Sequence, residues 1–404
     1  MGGICGMGMA PLAAFLQEDG NDVSGFDNNP NAEVKKYLQN FGVNVGEQAN
    51  NLRDFDNVVI STALKNKIGD LKNIGAKDVI LRGECWAKVC AKRRLIAIMG
   101  SHGKSTVSSL IAHAINKYSL NAGWLTGAIP VGFPMHKHCA LREILVSEID
   151  ESDGTIENFF PEITVALNAD LDHTNTYANW DELEAMYSRL FARTTTLVIV
   201  PQSDSRLCKI AKKFAQKTHF VETSDNFNKT NELIARSLIK EAFNQTLADD
   251  AFADFQGIKR RQEIIFKNSN ATVIADYAHH PTEVDAFLSM FNKRFYNYKK
   301  IVIFQPHRYS RTKQFAERFA QVLDYHCTNN TETFVAPVYA ASENFDPLGT
   351  SEKIVEKSKK SSIVLAKSKE IFKIVNASIL KEEKLAVAVV GAGDIYFDAK
   401  ENLG

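Results

Sequence analysis

Across 404 residues, 48 basic and 48 acidic side chains cancel to a formal net charge of zero, which removes the basic excess of a general nucleic-acid binder. That length exceeds one ordinary core and predicts two or three domains. A hydrophobic share of 45% is globular, and no apolar run reaches the ~18–20 residues of a membrane helix. No basic segment precedes an apolar core at the N-terminus, so no secretory signal is expected. Six scattered cysteines (Cys5, Cys85, Cys90, Cys139, Cys208 and Cys327) complete no zinc set and predict free thiols in a reducing, cytoplasmic setting.

In chain order, the first block opens with Gly3-Ile4-Cys5-Gly6-Met7-Gly8-Met9, followed by a helical stretch (Ala10 to Asp19) and a strand ending on Asp27. A glycine loop, a helix and an acidic residue closing the next strand follow the logic of a Rossmann-like half. The strand that should precede the glycines is expected to be missing, unless the true start lies upstream. Val58-Val59-Ile60-Ser61 and Asp78-Val79-Ile80-Leu81 supply later short strands.

The second block begins with the apolar run Leu95–Met99, which reads as a buried strand. It feeds Gly100-Ser101-His102-Gly103-Lys104-Ser105-Thr106, and a helical pattern follows (Val107, Leu110, Ile111, Ala114, Ile115). Strand, glycine turn and helix N-terminus make an anion site: N–H groups face a phosphate, Lys104 adds charge, and the Ser105 hydroxyl can reach Mg²⁺. The general phosphate-loop pattern wants another glycine where Ile98 stands, so this is a shortened variant; a plain tight turn is the alternative. Strands around Glu143–Glu148 and Ile163–Asn168 end in polar residues, where ligands bind in open α/β sheets. Beyond Leu197–Pro201 the pattern is helical and polar to about Asp254.

The third block starts after Gly257-Ile258-Lys259-Arg260-Arg261. Strands at 272–276, 300–304, 333–336, 362–365 and 385–390 alternate with helical stretches, which predicts a second parallel sheet.

Three clusters carry chemistry. Glu148, Asp150, Glu151 and Asp153 crowd one strand end; Mg²⁺ coordination, with Glu148 as first ligand, stands against a solvated acidic turn. Asp172-His173 closes the next strand, and His173 is either a metal or phosphate ligand or a structural histidine. In the third block, Tyr277-Ala278-His279-His280 and His307-Arg308-Tyr309-Ser310-Arg311 follow successive strands and suit an anion such as a carboxylate. A zinc site from His279, His280 and His307 is the sharper alternative, and adjacent histidines tend to point apart. Gly391-Ala392-Gly393-Asp394 is a further glycine turn, equally explained as a tight strand-to-helix connection.

Taken in order, these stretches resemble the Mur ligases, ATP-dependent amide-forming enzymes of peptidoglycan precursor synthesis. The resemblance implies an α/β protein of three domains: a Rossmann-like UDP-sugar domain over 1–92, a shortened phosphate-loop ATPase-like domain over 93–256, and a Rossmann-like amino-acid domain over 257–404. It implies ATP and Mg²⁺ as cofactors, with UDP-N-acetylmuramate and L-alanine as partners of a monomer or weak homodimer.

By the same resemblance, Gly3, Cys5, Gly6, Met7, Gly8 and Asp27 lie against the UDP-sugar. Gly100, Ser101, His102, Gly103, Lys104, Ser105, Thr106 and Asn228 bind ATP. Ser105, Glu148 and His173 hold metal, Lys104 and Arg261 serve the phosphoryl group, and Tyr277, His279, His307, Arg308 and Arg311 surround the L-alanine carboxylate. Phe227 stands where the family carries histidine near the adenine. Arg260-Arg261-Gln262-Glu263 is also similar to a recycling branch that attaches a whole tripeptide. A relative that binds nucleotide or UDP-sugar without turnover is the alternative from another class.

Overall fold

The computed structural model describes residues 1–404 apart from 29, 49, 50, 152, 153, 172–175, 342, 382, 383 and 404. The chain divides into two compact units, Met1–Gln256 and Gly257–Gly404.

The first unit contains two parallel systems. Strands β1 (Ser24–Phe26) and β2 (Asn44–Gly46) pair, as do β3 (Val58–Ile60) and β4 (Val79–Leu81). Between the pairs, Gly2 makes parallel bridges to both Phe26 and Ile60. One residue therefore occupies the central place where a first strand was expected. A Cβ on Gly2 would lie 2.9 Å from the Phe26 ring, so a bare backbone suits the gap.

The larger sheet of this unit comprises β5 (Arg94–Met99), β6 (Ala122–Leu125), β7 (His136–Lys137), β8 (Ile144–Glu148), β9 (Ile163–Ala166), β10 (Leu197–Pro201) and β11 (Thr218–Val221). Their order is β11-β10-β9-β5-β8-β6-β7, parallel except for β7. β5 lies at the centre with both faces covered, which is why Leu95–Met99 reads as an unbroken apolar run. One face packs on the helices Lys104–Lys117 and Phe227–Phe243 through Ile111, Ile115, Ile234 and Leu238. The other meets Trp86, Tyr187 and Phe191, and reaches Phe15 of the helix Met9–Glu18. Arg93, with a fully covered side chain, joins the two systems by donating to Asp19 (2.6 Å), the Val89 carbonyl and the Cys139 carbonyl. β11 corrects the expectation of an all-helical stretch to Asp254. Its Thr-His-Phe-Val sequence is only partly buried at the sheet edge and carries no apolar run.

The second unit holds β12 (Glu263–Lys267), β13 (Ala271–Asp276), β14 (Lys299–Phe304), β15 (Thr331–Val335), β16 (Ile363–Leu365) and β17 (Leu385–Val390). The order is β12-β13-β17-β14-β15-β16. It is parallel except for β12, which runs antiparallel to β13 and makes the sheet mixed rather than wholly parallel. Buried strand ends at β13, β17, β14 and β15 bring four loops side by side on one edge.

Candidate active site

The glycine turn after β5 is tied to its neighbour strand at several points. Gly100 (φ +128°) and Gly103 (φ +87°) take conformations that disfavour a side chain. A Cβ on Gly100 would stand 3.0 Å from the Asn168 backbone. The Asn168 side chain accepts from the His102 N–H (2.8 Å) and donates to the His102 carbonyl (2.9 Å). Ser101 exchanges hydrogen bonds with the Asp170 backbone, and His102 Nε2 lies 2.9 Å from the Asp170 carboxylate. Ser101 and His102 thus serve to shape the loop. Gly103 is the N-cap of the helix Lys104–Lys117, whose first-turn N–H groups, those of Ser105 and Thr106 included, have no intrahelical acceptor.

Lys104 folds back over this loop. Its ammonium donates to the Gly100 carbonyl (2.7 Å) and lies 3.3 Å from Glu151, a residue 1% exposed. Burial works against the charge, but the Glu151, Asp150 and Glu148 carboxylates outweigh it and hold the ammonium's pKa above its ordinary value. Glu148, at the end of β8, accepts from the Ser105 hydroxyl (3.1 Å), the Ser108 hydroxyl (2.6 Å) and the Gly127 N–H (2.6 Å). A hydroxyl and a carboxylate side by side form an oxygen-only donor pair suited to a hard cation that keeps much of its water. Asp153, Asp172 and His173 lie outside the described residues.

Sequence reasoning missed Ser108 and Gly127. Ser108 stands three residues after Ser105 on the same helix face, a signal that was available. Asn228 sits in the exposed first turn of the helix Phe227–Phe243, where its N–H is capped by Asn226. The side chains of that helix that approach the loop are Phe227, 3.1 Å from a Cβ built on Gly103, and the buried Asn231, at 3.2 Å.

In the first block, the Asp27 carboxylate accepts from the Cys5 N–H at 3.0 Å, so the acid and the glycine loop meet. Gly3 (φ +69°) abuts Ser61, Gly6 donates to the Gly3 carbonyl, and Met7 precedes Gly8, the N-cap of the helix Met9–Glu18. A Cβ on Gly8 would fall 2.7 Å from the Arg82 guanidinium, a cation that no local pattern had marked. Burial, reinforced by Asp27, pushes the Cys5 thiol up to about 11 and keeps it neutral.

In the second unit, Tyr277, His279 and His307 come together. Tyr277 and His279 are 5.5 Å apart between ring centroids, and His279 and His307 are 5.7 Å apart. His280 turns away to cap the helix Pro281–Arg294 and packs edge-on against Phe315, so the two adjacent histidines serve different neighbours. The three histidines of the zinc alternative do not converge. Arg308 (φ +71°) and Arg311 open the helix Tyr309–His326. Burial, with His279, Arg311, Arg308 and Arg260 around it, lowers the His307 pKa to about 2 and holds that ring neutral. Such crowding of positive charge suits an anionic ligand. Arg261 lies over Tyr277 (5.3 Å) and 3.9 Å from Glu283. Nearby, burial raises Asp276 to about 6 against the pull of Arg261 and the Ala278 and Gln262 N–H groups.

A central parallel sheet with a phosphate loop, joined to a second α/β unit whose strand ends are rich in His, Arg and Tyr, defines a nucleotide-dependent ligase class. Two family models match: "Mur ligase family, catalytic domain" over residues 1–94, and "Mur ligase, glutamate ligase domain" over residues 260–393. The chain belongs to the Mur ligase family. It is 28% identical to UDP-N-acetylmuramate–L-alanine ligase of Desulforapulum autotrophicum, over 98% of this chain and 95% of that protein. It is 29% identical to the enzyme of the same name from Carboxydothermus hydrogenoformans, over 97% and 93%. Among solved structures, UDP-N-acetylmuramate–alanine ligase of Thermotoga maritima superposes with a TM-score of 0.78 at 24% identity, covering 99% of this chain and 97% of that one.

Proposed function

We propose that this chain joins L-alanine to UDP-N-acetylmuramate in an ATP-dependent, amide-forming step of peptidoglycan precursor synthesis. What carries the reading is the convergence of Lys104, Ser105 and Glu148 at a phosphate loop, in a chain similar end to end to alanine-adding ligases.

A carboxylate resists attack by an amine because oxide leaves poorly. Phosphorylation gives an acyl phosphate, and the amine then displaces phosphate. Lys104 and the first-turn N–H groups bind the transferring phosphoryl oxygens; Ser105 and Glu148 would hold one Mg²⁺ and His173 a second, and such ions would offset the negative charge of that group. Arg261 is assigned to the γ-phosphate by likeness to the family. Arg308 and Arg311 fork the amino-acid carboxylate, while Tyr277, His279 and the neutral His307 line the amine side. Gly3, Cys5, Gly6, Met7, Gly8 and Asp27 carry the UDP-sugar, and Asn228 belongs to the ATP site. The first unit divides in function at residue 92, the protein works in the cytoplasm as a monomer or weak homodimer, and among the described residues no helix is long and apolar enough to cross a membrane.

The test is ADP and phosphate release with each substrate omitted in turn. Release only when ATP, UDP-N-acetylmuramate and L-alanine are all present is expected. Release with a murein tripeptide but none with L-alanine overturns the proposal.

A further inference from the structure

We infer that Arg260 and Tyr339 close a ring of side chains around the amino-acid subsite, and that Tyr339 sets the size of acceptor admitted. The inference rests on the reading that Tyr277, His279 and His307 surround that acceptor. Arg260 holds φ at +63°, an unfavourable value for a residue with a side chain, which persists where surroundings over-determine it. Its guanidinium lies 4.8 Å from the Tyr277 ring centre on one side and 4.9 Å from Tyr396 on the other.

From Tyr277 the contacts run to His279 (5.5 Å), to His307 (5.7 Å), and on to Tyr339, which stacks on His307 at 5.6 Å and 17°. Tyr339 presses on the second glycine turn, where a Cβ on Gly393 would come within 2.5 Å of the Tyr339 Cβ. The Gly393 carbonyl accepts from Arg260 Nη2 at 2.6 Å, and the circuit closes.

Tyr339 is also fixed through its backbone. Its carbonyl accepts from the Arg308 N–H (2.8 Å) and its N–H donates to the Pro306 carbonyl (2.9 Å). The backbone of Tyr339 is thereby held beside that of His307, to which it also makes a parallel bridge. Arg260 precedes β12; Tyr277, His279, Gly393, His307 and Tyr339 come from the segments after β13, β17, β14 and β15, four neighbouring strands, at the edge where open α/β sheets bind ligands. The glycine turn after β17 therefore forms one wall of the subsite. Under this inference the frame admits a single methyl side chain, and an added methylene meets the Tyr339 wall.

The experiment uses the full chain and follows phosphate release with L-alanine and with L-2-aminobutyrate, one methylene larger. Tyr339→Ala is expected to lower the alanine preference in kcat/KM at least about tenfold, the low end of what one methylene commands, while Tyr339→Phe keeps it within about twofold. Arg260→Gln is expected to raise KM for L-alanine about tenfold with KM for ATP and UDP-N-acetylmuramate within about twofold. Equal losses for both acceptors in Tyr339→Ala, or a uniform rise of all three KM values in Arg260→Gln, overturn the inference. If Tyr339→Ala fails to melt cooperatively, Tyr339→Leu takes its place with the same criterion. A wild-type chain without alanine-dependent release overturns the ligase reading and this inference with it; an active wild type with unchanged acceptor preference in the variants overturns this inference alone.

Discussion

Lys104→Ala tests the phosphate loop in two independent currencies. The ammonium lies 3.3 Å from Glu151, whose side chain is 2% exposed, while that of Lys104 is 17% exposed. Removing one member of a buried pair strands the other, at about 3–5 kcal/mol; the partial exposure of Lys104 places the expected loss near 3 kcal/mol. Adding Glu151→Gln replaces the stranded charge with a neutral amide and is expected to return about 1–2 kcal/mol. Turnover behaves differently, because the role proposed for the ammonium is to bind the phosphate. A loss of at least ~10³-fold, about 4 kcal/mol of transition-state stabilisation, is expected in both the single and the double variant. Stability is read by urea unfolding followed through tryptophan fluorescence. Trp86, Trp124 and Trp180 are the three tryptophans of the chain, and all lie in the first unit. Activity is read by phosphate release. The reasoning fails if Lys104→Ala unfolds at the wild-type midpoint, or if the double variant regains turnover along with stability.

Further outcomes follow from single contacts. Gly127→Ala builds a Cβ 2.7 Å from a Glu148 carboxylate oxygen, so Glu148 shifts off Ser105 and the Mg²⁺ concentration for half-maximal release rises about 10–100-fold; an unchanged Mg²⁺ titration counts against Glu148 as a ligand. Arg93→Ala removes a fully covered guanidinium that bonds Asp19, Val89 and Cys139, and the tryptophan-detected transition loses about 3 kcal/mol. His307 is neutral in the fold, with its pKa at about 2, so the unfolded chain takes up the proton first as pH falls. Its contribution to stability is complete above pH ~6.5 and is lost below it at up to about 1.4 kcal/mol per pH unit. Hydrogen exchange of β14 between pH 6.5 and 4.5 should show this slope in the wild type and a flatter one in His307→Gln; equal slopes contradict the burial argument.

What could be read from the sequence was local. Leu95–Met99 is apolar at every position because β5 is covered on both faces, and the glycines, lysine and serine that follow stand together where that strand gives way to a helix. Glu148 was marked because a charged residue closing a buried strand has to face a ligand edge. Asp27 was marked for the same reason, and it does meet the glycine loop. The edge strands β7 and β11 escaped because their half-covered positions carry no continuous apolar pattern. The central place of Gly2 escaped because a single bridging residue has no periodicity to detect.

Convergence was decided elsewhere. Ser108 and Gly127 share Glu148 from separate elements, and Arg82 reaches Gly8 from 74 positions along the chain. His279 and His280 are identical to any sequence rule, yet one joins His307 and the other caps a helix, because the first turn of that helix needs an acceptor at its N-cap. Tyr339 and Gly393 enter the ring only because the strand order sets β17 between β13 and β14, with β15 beside them. The sequence by itself determined which chemical groups this protein has and at which strand ends they stand, since those are matters of local backbone and burial pattern. Only the tertiary structure decided which of them face one another, since that depends on strand order and on the packing that turns each side chain toward its neighbour.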